Sequence, residues 1–207
     1  LRRSLHKIDL SQRSLQPSDA KLVKMALAQN ANLTVLKLGY NNLGDAGVTT
    51  LASGIVAHKS LNLLDLGFNN IGDQGIMALA HSLQEASGDQ YHRFNHGNGV
   101  STLHTLYLAG NHIGPDGAIS MADFLRRGSR LRKLFMTGNR IGGEGVKAIS
   151  EAILEQQESM RETNGVQQSD PAKATDSFKT KFHGMQELYM GGQEFFLPTD
   201  LFLQEWR

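Results

Sequence analysis

The 207-residue sequence contains no cysteine, which excludes disulfides and thiolate chemistry. It holds no apolar run near the roughly 18–20 residues that span a bilayer, so no membrane insertion is expected. Neither sign of charge dominates: 21 basic and 20 acidic residues leave a net charge of +1. No overall field therefore draws the chain to nucleic acid or anionic lipid. The lack of cysteine favours a reducing compartment, and the expected location is intracellular, cytoplasmic first. The triplet Asn32-Leu33-Thr34, of glycosylation type, keeps secretion open. The chain opens Leu1-Arg2-Arg3 with no visible signal peptide and ends soon after a sixth strand-like stretch. It reads as part of something larger.

What the sequence does have is a repeat. Six stretches begin at Leu5, Leu33, Leu61, Leu103, Leu131 and Met185, with a commonest spacing of 28 residues. Each has apolar residues at its first, fourth, sixth and eleventh positions, and most have an asparagine at the ninth. In the second stretch these are Leu33, Leu36, Leu38, Leu43 and Asn41. A fixed period of this length signals stacked units, none able to bury its apolar face alone.

Residues 33–60 show how one unit is built. Leu36 and Leu38 alternate around Lys37, the period-2 signature of a strand with one buried face. Asn41 follows, its amide suited to satisfying backbone groups at a sharp turn. Asp45, in Gly44-Asp45-Ala46-Gly47, suits the N-cap of a helix. Val48, Leu51, Ala52 and Ile55 then form one helical stripe. The third unit repeats the stripe with Ile76, Leu79, Ala80 and Leu83, and the first is expected to bury Leu22, Met25 and Ala26 behind Pro17-Ser18-Asp19. Strand, helix and parallel strand make a right-handed crossover.

The motif L-x-x-L-x-L-x-x-N-x-L, with a G-D-x-G-[VI]-x-x-L-A helix start, resembles the ribonuclease-inhibitor-like class of leucine-rich repeats from Leu5 to about residue 195. That class includes ribonuclease inhibitor, the Ran GTPase-activating protein and the sensor domains of NOD-like receptors. The resemblance implies an α/β solenoid of about six repeats in a single domain over residues 1–207, a curved horseshoe fragment. A parallel β-sheet would line its concave face and α-helices its convex one. Arg13 and Gln193 stand in the asparagine position of the first and sixth units, as suits terminal repeats.

Two units are longer than the rest. The third spans 42 residues, with extra material near 87–100, and the fifth spans 54, with extra material near 159–184. Both insertions are expected as loops on one rim, and such insertions often form a binding face.

Residues between the buried leucines face the hollow. At the fifth position these are Asp9, Lys37, Asp65, Tyr107, Phe135 and Tyr189. With strands about 4.8 Å apart, Tyr107, Phe135 and Tyr189 are expected to form one aromatic row. The eighth position adds Tyr40 and Phe68, then Gly110 and Gly138. Rigid aromatics on a polar concave sheet are typical partner anchors, although rings can also serve only to stack on one another. The expected partner-binding residues are Tyr107, Phe135, Tyr189, Tyr40, Phe68 and Lys133. Lys7 and Lys133 read as ordinary solvated residues.

Chemistry has little support. No nucleophile and base recur to one place, and no phosphate-cradling glycine run occurs. His92 and His96 have zinc-like spacing in a segment too rich in glycine and asparagine for a helix, so no metal or cofactor is expected. The expected function is a non-enzymatic scaffold that binds a protein partner. One alternative is a structural subunit of a larger assembly, suggested by the apolar C-terminus (Phe195-Phe196-Leu197, Leu201-Phe202-Leu203, Trp206). The other, implied by the resemblance, is a GTPase activator acting from the rim positions Asn42, Asn70, His112 and Arg140.

Overall fold

The computed structural model describes residues 5–86, 102–127, 129–163, 185, 187–190 and 195–196. The first insertion, the second beyond Thr163, His92, His96, Gln193 and the C-terminus from Leu197 onward lie outside the described residues.

Six three-residue strands lie side by side in chain order. They are β1 (Lys7–Asp9), β2 (Val35–Lys37), β3 (Leu63–Asp65), β4 (Thr105–Tyr107), β5 (Lys133–Phe135) and β6 (Glu187–Tyr189). All five pairings among them are parallel, and the central leucines Leu36, Leu64, Leu106, Leu134 and Leu188 stand in register behind Ile8. A short β7 (Phe195–Phe196) returns antiparallel on β6, an addition the repeat pattern does not foretell.

Among the described residues five helices alternate with the strands: α1 (Ala20–Gln29), α2 (Gly44–Ala57), α3 (Asp73–Ala86), α4 (Pro115–Arg126) and α5 (Gly142–Thr163). Successive helices pack against each other in sequence. Helices need about 8–10 Å each and strands under 5 Å. The stack therefore bends into an open horseshoe with the sheet on its inner face. α5 runs on past Ser159, so the start of the stretch read as a loop is helical.

The core fills the space between the two layers. Leucines at the first, fourth and sixth positions of units two to four are buried, as are Leu43, Ile71, Ile113 and Ile141 at the eleventh. The stripes of α2 and α3 bury the residues expected. α1 does not. It buries Ala20, Val23 and Leu27, while Leu22 and Met25 are 66% and 51% exposed. A 3-10 turn at Pro17–Asp19 precedes the helix, and transferring the register of the second unit onto the first points to Ala20, Val23 and Leu27. The expected stripe ignored that register in favour of bulk.

Two side-chain ladders tie the units together. Asn111, buried, accepts the amides of Asn69 and Ile71 on Oδ1 (2.9 and 3.1 Å) and donates Nδ2 to the carbonyls of Leu66 and Leu108 (3.0 and 2.8 Å). Asn41 repeats the arrangement, and Asn69 and Asn139 do so with one accepted amide each, those of Leu43 and Ile113. Each asparagine therefore satisfies its own turn and the turn before it.

The second ladder corrects an expectation. Asp45 makes no cap to α2, its own helix. Its Oδ1 instead accepts the Gly72 amide at the start of α3 (2.7 Å), and Asp73 Oδ1 accepts the amides of Gly114 and Gly117 at the start of α4 (2.7 and 2.9 Å). The carboxylate meets the free amides of the following helix, where the macrodipole favours negative charge. A Cβ on Gly117 would lie 2.6 Å from Asp73 Oδ1, which explains the second glycine of the G-D-x-G pattern. Between α4 and α5 the aspartate position holds Pro115. There Arg126 bridges the helices, pairing with Asp123, Glu151 and Glu155 at 3.0, 3.7 and 3.1 Å.

Candidate partner-binding face

Strand register sets the middle of the concave face. Asp9, Lys37, Asp65, Tyr107, Phe135 and Tyr189 follow one another across β1 to β6. The three rings stack: Tyr107 on Phe135 with centroids 4.3 Å apart, and Phe135 on Tyr189 at 4.5 Å. Their planes lie within 10° and 11° of parallel. Each ring is half-buried, because the faces cover one another and leave the edges toward the hollow. Mutual stacking thus supplies part of the reason the rings are there.

Lys133 is not an ordinary solvated residue. Its Nζ donates to Glu187 Oε1 at 2.6 Å across the β5–β6 pair, beside the ring row. That hydrogen bond raises the Lys133 pKa above its ordinary 10.5; burial opposes it, and the charges of Glu187, Tyr107 and Tyr189 make lesser upward contributions. At the other end of the sheet Lys7 lies 4.0 Å from Asp9. The Asp9 carboxyl is held below its ordinary range mainly by the Ser11 amide, with Lys37 and Lys7 contributing.

A second pair of rings stands at the rim beyond the strand C-termini. Tyr40 and Phe68 stack with centroids 4.4 Å apart and planes 7° from parallel, yet remain 55% and 47% exposed. The turn places the eighth residue of units one to five in the left-handed region: Gln12, Tyr40, Phe68, Gly110 and Gly138 have φ between 55° and 70°. Glycine adopts this conformation without penalty, as Gly110 and Gly138 do here. An aromatic residue there costs about 1–2 kcal/mol, of which stacking returns about 0.5–1.5 kcal/mol. Folding alone therefore does not call for rings at these two positions. Gly110 also leaves room for its neighbour, since a Cβ there would meet the Phe68 ring at 2.4 Å.

Asp65 stands against Gly39 and Gly67, the residues just before the two rings. Its Oδ1 accepts the Gly67 amide at 3.0 Å, and both carboxylate oxygens lie 3.2 Å from where a Gly39 Cβ would stand. The seventh-position glycines thus make room for a carboxylate. Asp65 and Glu187 are the two functional candidates that sequence reasoning passed over. Facing positions across adjacent strands, Lys133 to Glu187 and Asp65 to Tyr107, are the signal that could have found them.

The rim positions just past the asparagine ladder are spoken for in part. Asn70 Nδ2 donates to Asn42 Oδ1 (2.7 Å), and Asn42 Nδ2 donates to Gln16 Oε1 (2.9 Å). His112 and Arg140 are exposed beside them. Among the described residues no three His, Cys, Asp or Glu side chains gather as a metal set, and no helix is long and apolar enough to cross a membrane.

The family model described as Leucine Rich repeat matches residues 29–52, 57–80, 101–122 and 131–150, one match in each of units two to five. No curated protein matches the sequence significantly. Solved structures do, 53 chains among them. One is Leiomodin-1 Actin-Binding Site 2, with a TM-score of 0.55 and 17% identity over 77% of this chain and 84% of that one. At that identity the likeness speaks for the fold. The chain is a leucine-rich repeat protein, an open α/β solenoid.

Proposed function

We propose that the chain is a non-enzymatic interaction scaffold whose concave sheet binds a protein partner. Tyr107, Phe135 and Tyr189 are its central anchors, and Tyr40, Phe68 and Lys133 surround them. The observation that carries the reading is the two ring stacks, one in the hollow and one at its rim, with Tyr40 and Phe68 held in a backbone conformation that glycine would fill more cheaply. Leucine-rich repeats supply the long curved surface such binding needs. The leiomodin-1 chain of similar fold is an actin-binding site, which supports a protein as the kind of ligand and leaves its identity open. The reading of a GTPase activator draws less support, because the amides of Asn42 and Asn70 are turned toward one another.

Affinity capture from the native source, with Tyr107→Ala/Phe135→Ala as the matched control, tests the proposal. A partner should be retained by the wild-type chain and lost from the double variant, by about 2 kcal/mol or more in measured affinity. Equal capture by both, with the variant folded by circular dichroism, would remove the concave face from the argument.

A further inference from the structure

The Asp65 carboxylate and the Tyr40–Phe68 stack form a small, unusual constellation. Among the described residues Asp65 has one hydrogen-bond donor, the Gly67 amide, and no cationic partner. The other strand-borne carboxylates of the face are engaged, Asp9 near Lys7 and Glu187 with Lys133. Lys37, in register between Asp9 and Asp65, makes no ion pair with Asp65. Two features keep Asp65 open. Gly39 and Gly67 place no side chain over it, and an exposed ring follows each of them in sequence. The result is a half-buried negative charge against the two glycines that lead into the exposed ring pair.

We infer that this rim site receives a lysine or arginine side chain of the protein partner, its charged head on Asp65 and its methylene stem along the Tyr40 and Phe68 rings. Long cationic side chains are built for that division, with an apolar stem and a charged tip. An arginine head can pair with both carboxylate oxygens at once and lie flat on a ring, so arginine is the better fit. Charge complementarity selects the occupant: an acidic or purely apolar side chain would leave Asp65 unpaired as it loses solvent. The two left-handed aromatics then serve a purpose the turn does not require. The inference rests on the concave face being the protein-binding surface, and names what one part of it recognises.

The test uses the full chain and a probe independent of any partner. Amide resonances are followed by 1H–15N correlation spectroscopy during titration with N-acetylarginine amide, and with N-acetylnorleucine amide as the uncharged control. Saturable shifts should gather at Gly39, Tyr40, Gly67 and Phe68 with the arginine probe, at least tenfold weaker with the control. Asp65→Asn keeps an oxygen for the Gly67 amide and should weaken arginine binding at least fivefold. Phe68→Gly suits the backbone there and should weaken it about threefold. Equal response to both probes, or unchanged binding in folded Asp65→Asn and Phe68→Gly, overturns the inference. Partner capture lost in Tyr107→Ala/Phe135→Ala but kept in Asp65→Asn overturns it too, while leaving the scaffold standing.

Discussion

Replacing Asn111 by alanine tests whether the amide ladder holds the stack together. Asn111 is buried and serves five backbone groups, one of them the Ala109 carbonyl, which the Phe68 amide also reaches. Two of these, the carbonyls of Leu66 and Leu108, keep a second partner in Asn69 and Asn139. The amides of Asn69 and Ile71 would be left without an acceptor inside the protein. A buried donor left unpaired costs about 1–3 kcal/mol, so the loss should be about 4 kcal/mol. That is a large part of the 5–15 kcal/mol that is usual for a whole domain. Asn139→Ala orphans one amide, that of Ile113, in a less buried place, and should cost about 1–2 kcal/mol. Urea unfolding of the two variants, followed by far-ultraviolet circular dichroism, measures both. A loss below 1 kcal/mol for Asn111→Ala, or an equal loss for Asn139→Ala, would show that water or backbone shifts satisfy the turn as well as the amide does.

Asp73→Ala should destabilise by about 2 kcal/mol through loss of two charge-assisted bonds, and speed hydrogen exchange at Gly114 and Gly117 in the next unit. Unchanged exchange at those amides would refute capping across the repeat. The Lys133–Glu187 pair should contribute under about 1 kcal/mol, since both groups are partly exposed. The folded pKa of Lys133 lies above 10.5, so the contribution is complete below that pH and fades as pH rises through the folded value. Thermal melts of wild type and Lys133→Met should therefore converge as pH rises above 10.5, and a difference that stays constant there would contradict the pairing.

The architecture was legible because it depends on periodicity, which needs no knowledge of contacts. Strand register, the asparagine turns and the ring row all follow from one spacing. The departures arise where a side chain's partner sits in another unit. Asp45 and Asp73 look like caps of the helices they occupy, because local pattern cannot show that the following helix offers its amides at the same height. Leu22 and Met25 look like core by their hydrophobicity, while the repeat register buries the smaller Ala20 and Val23. The positive φ of Tyr40 and Phe68 was hidden for another reason. Aromatics rarely adopt it, and only the glycines at the same position in later units hinted that the turn demands it. Glu187 escaped notice because its partner Lys133 precedes it by 54 residues, across the long insertion.

The change of fastening between α4 and α5 sets that seam apart from the two before it. The α2–α3 and α3–α4 junctions are closed by carboxylates seated on helix amides in partly buried positions, where dissolved ions have little reach. The α4–α5 seam relies on Arg126 and acidic partners that stand about half in water. Raising ionic strength should therefore weaken this seam slightly more than the two closed by Asp45 and Asp73.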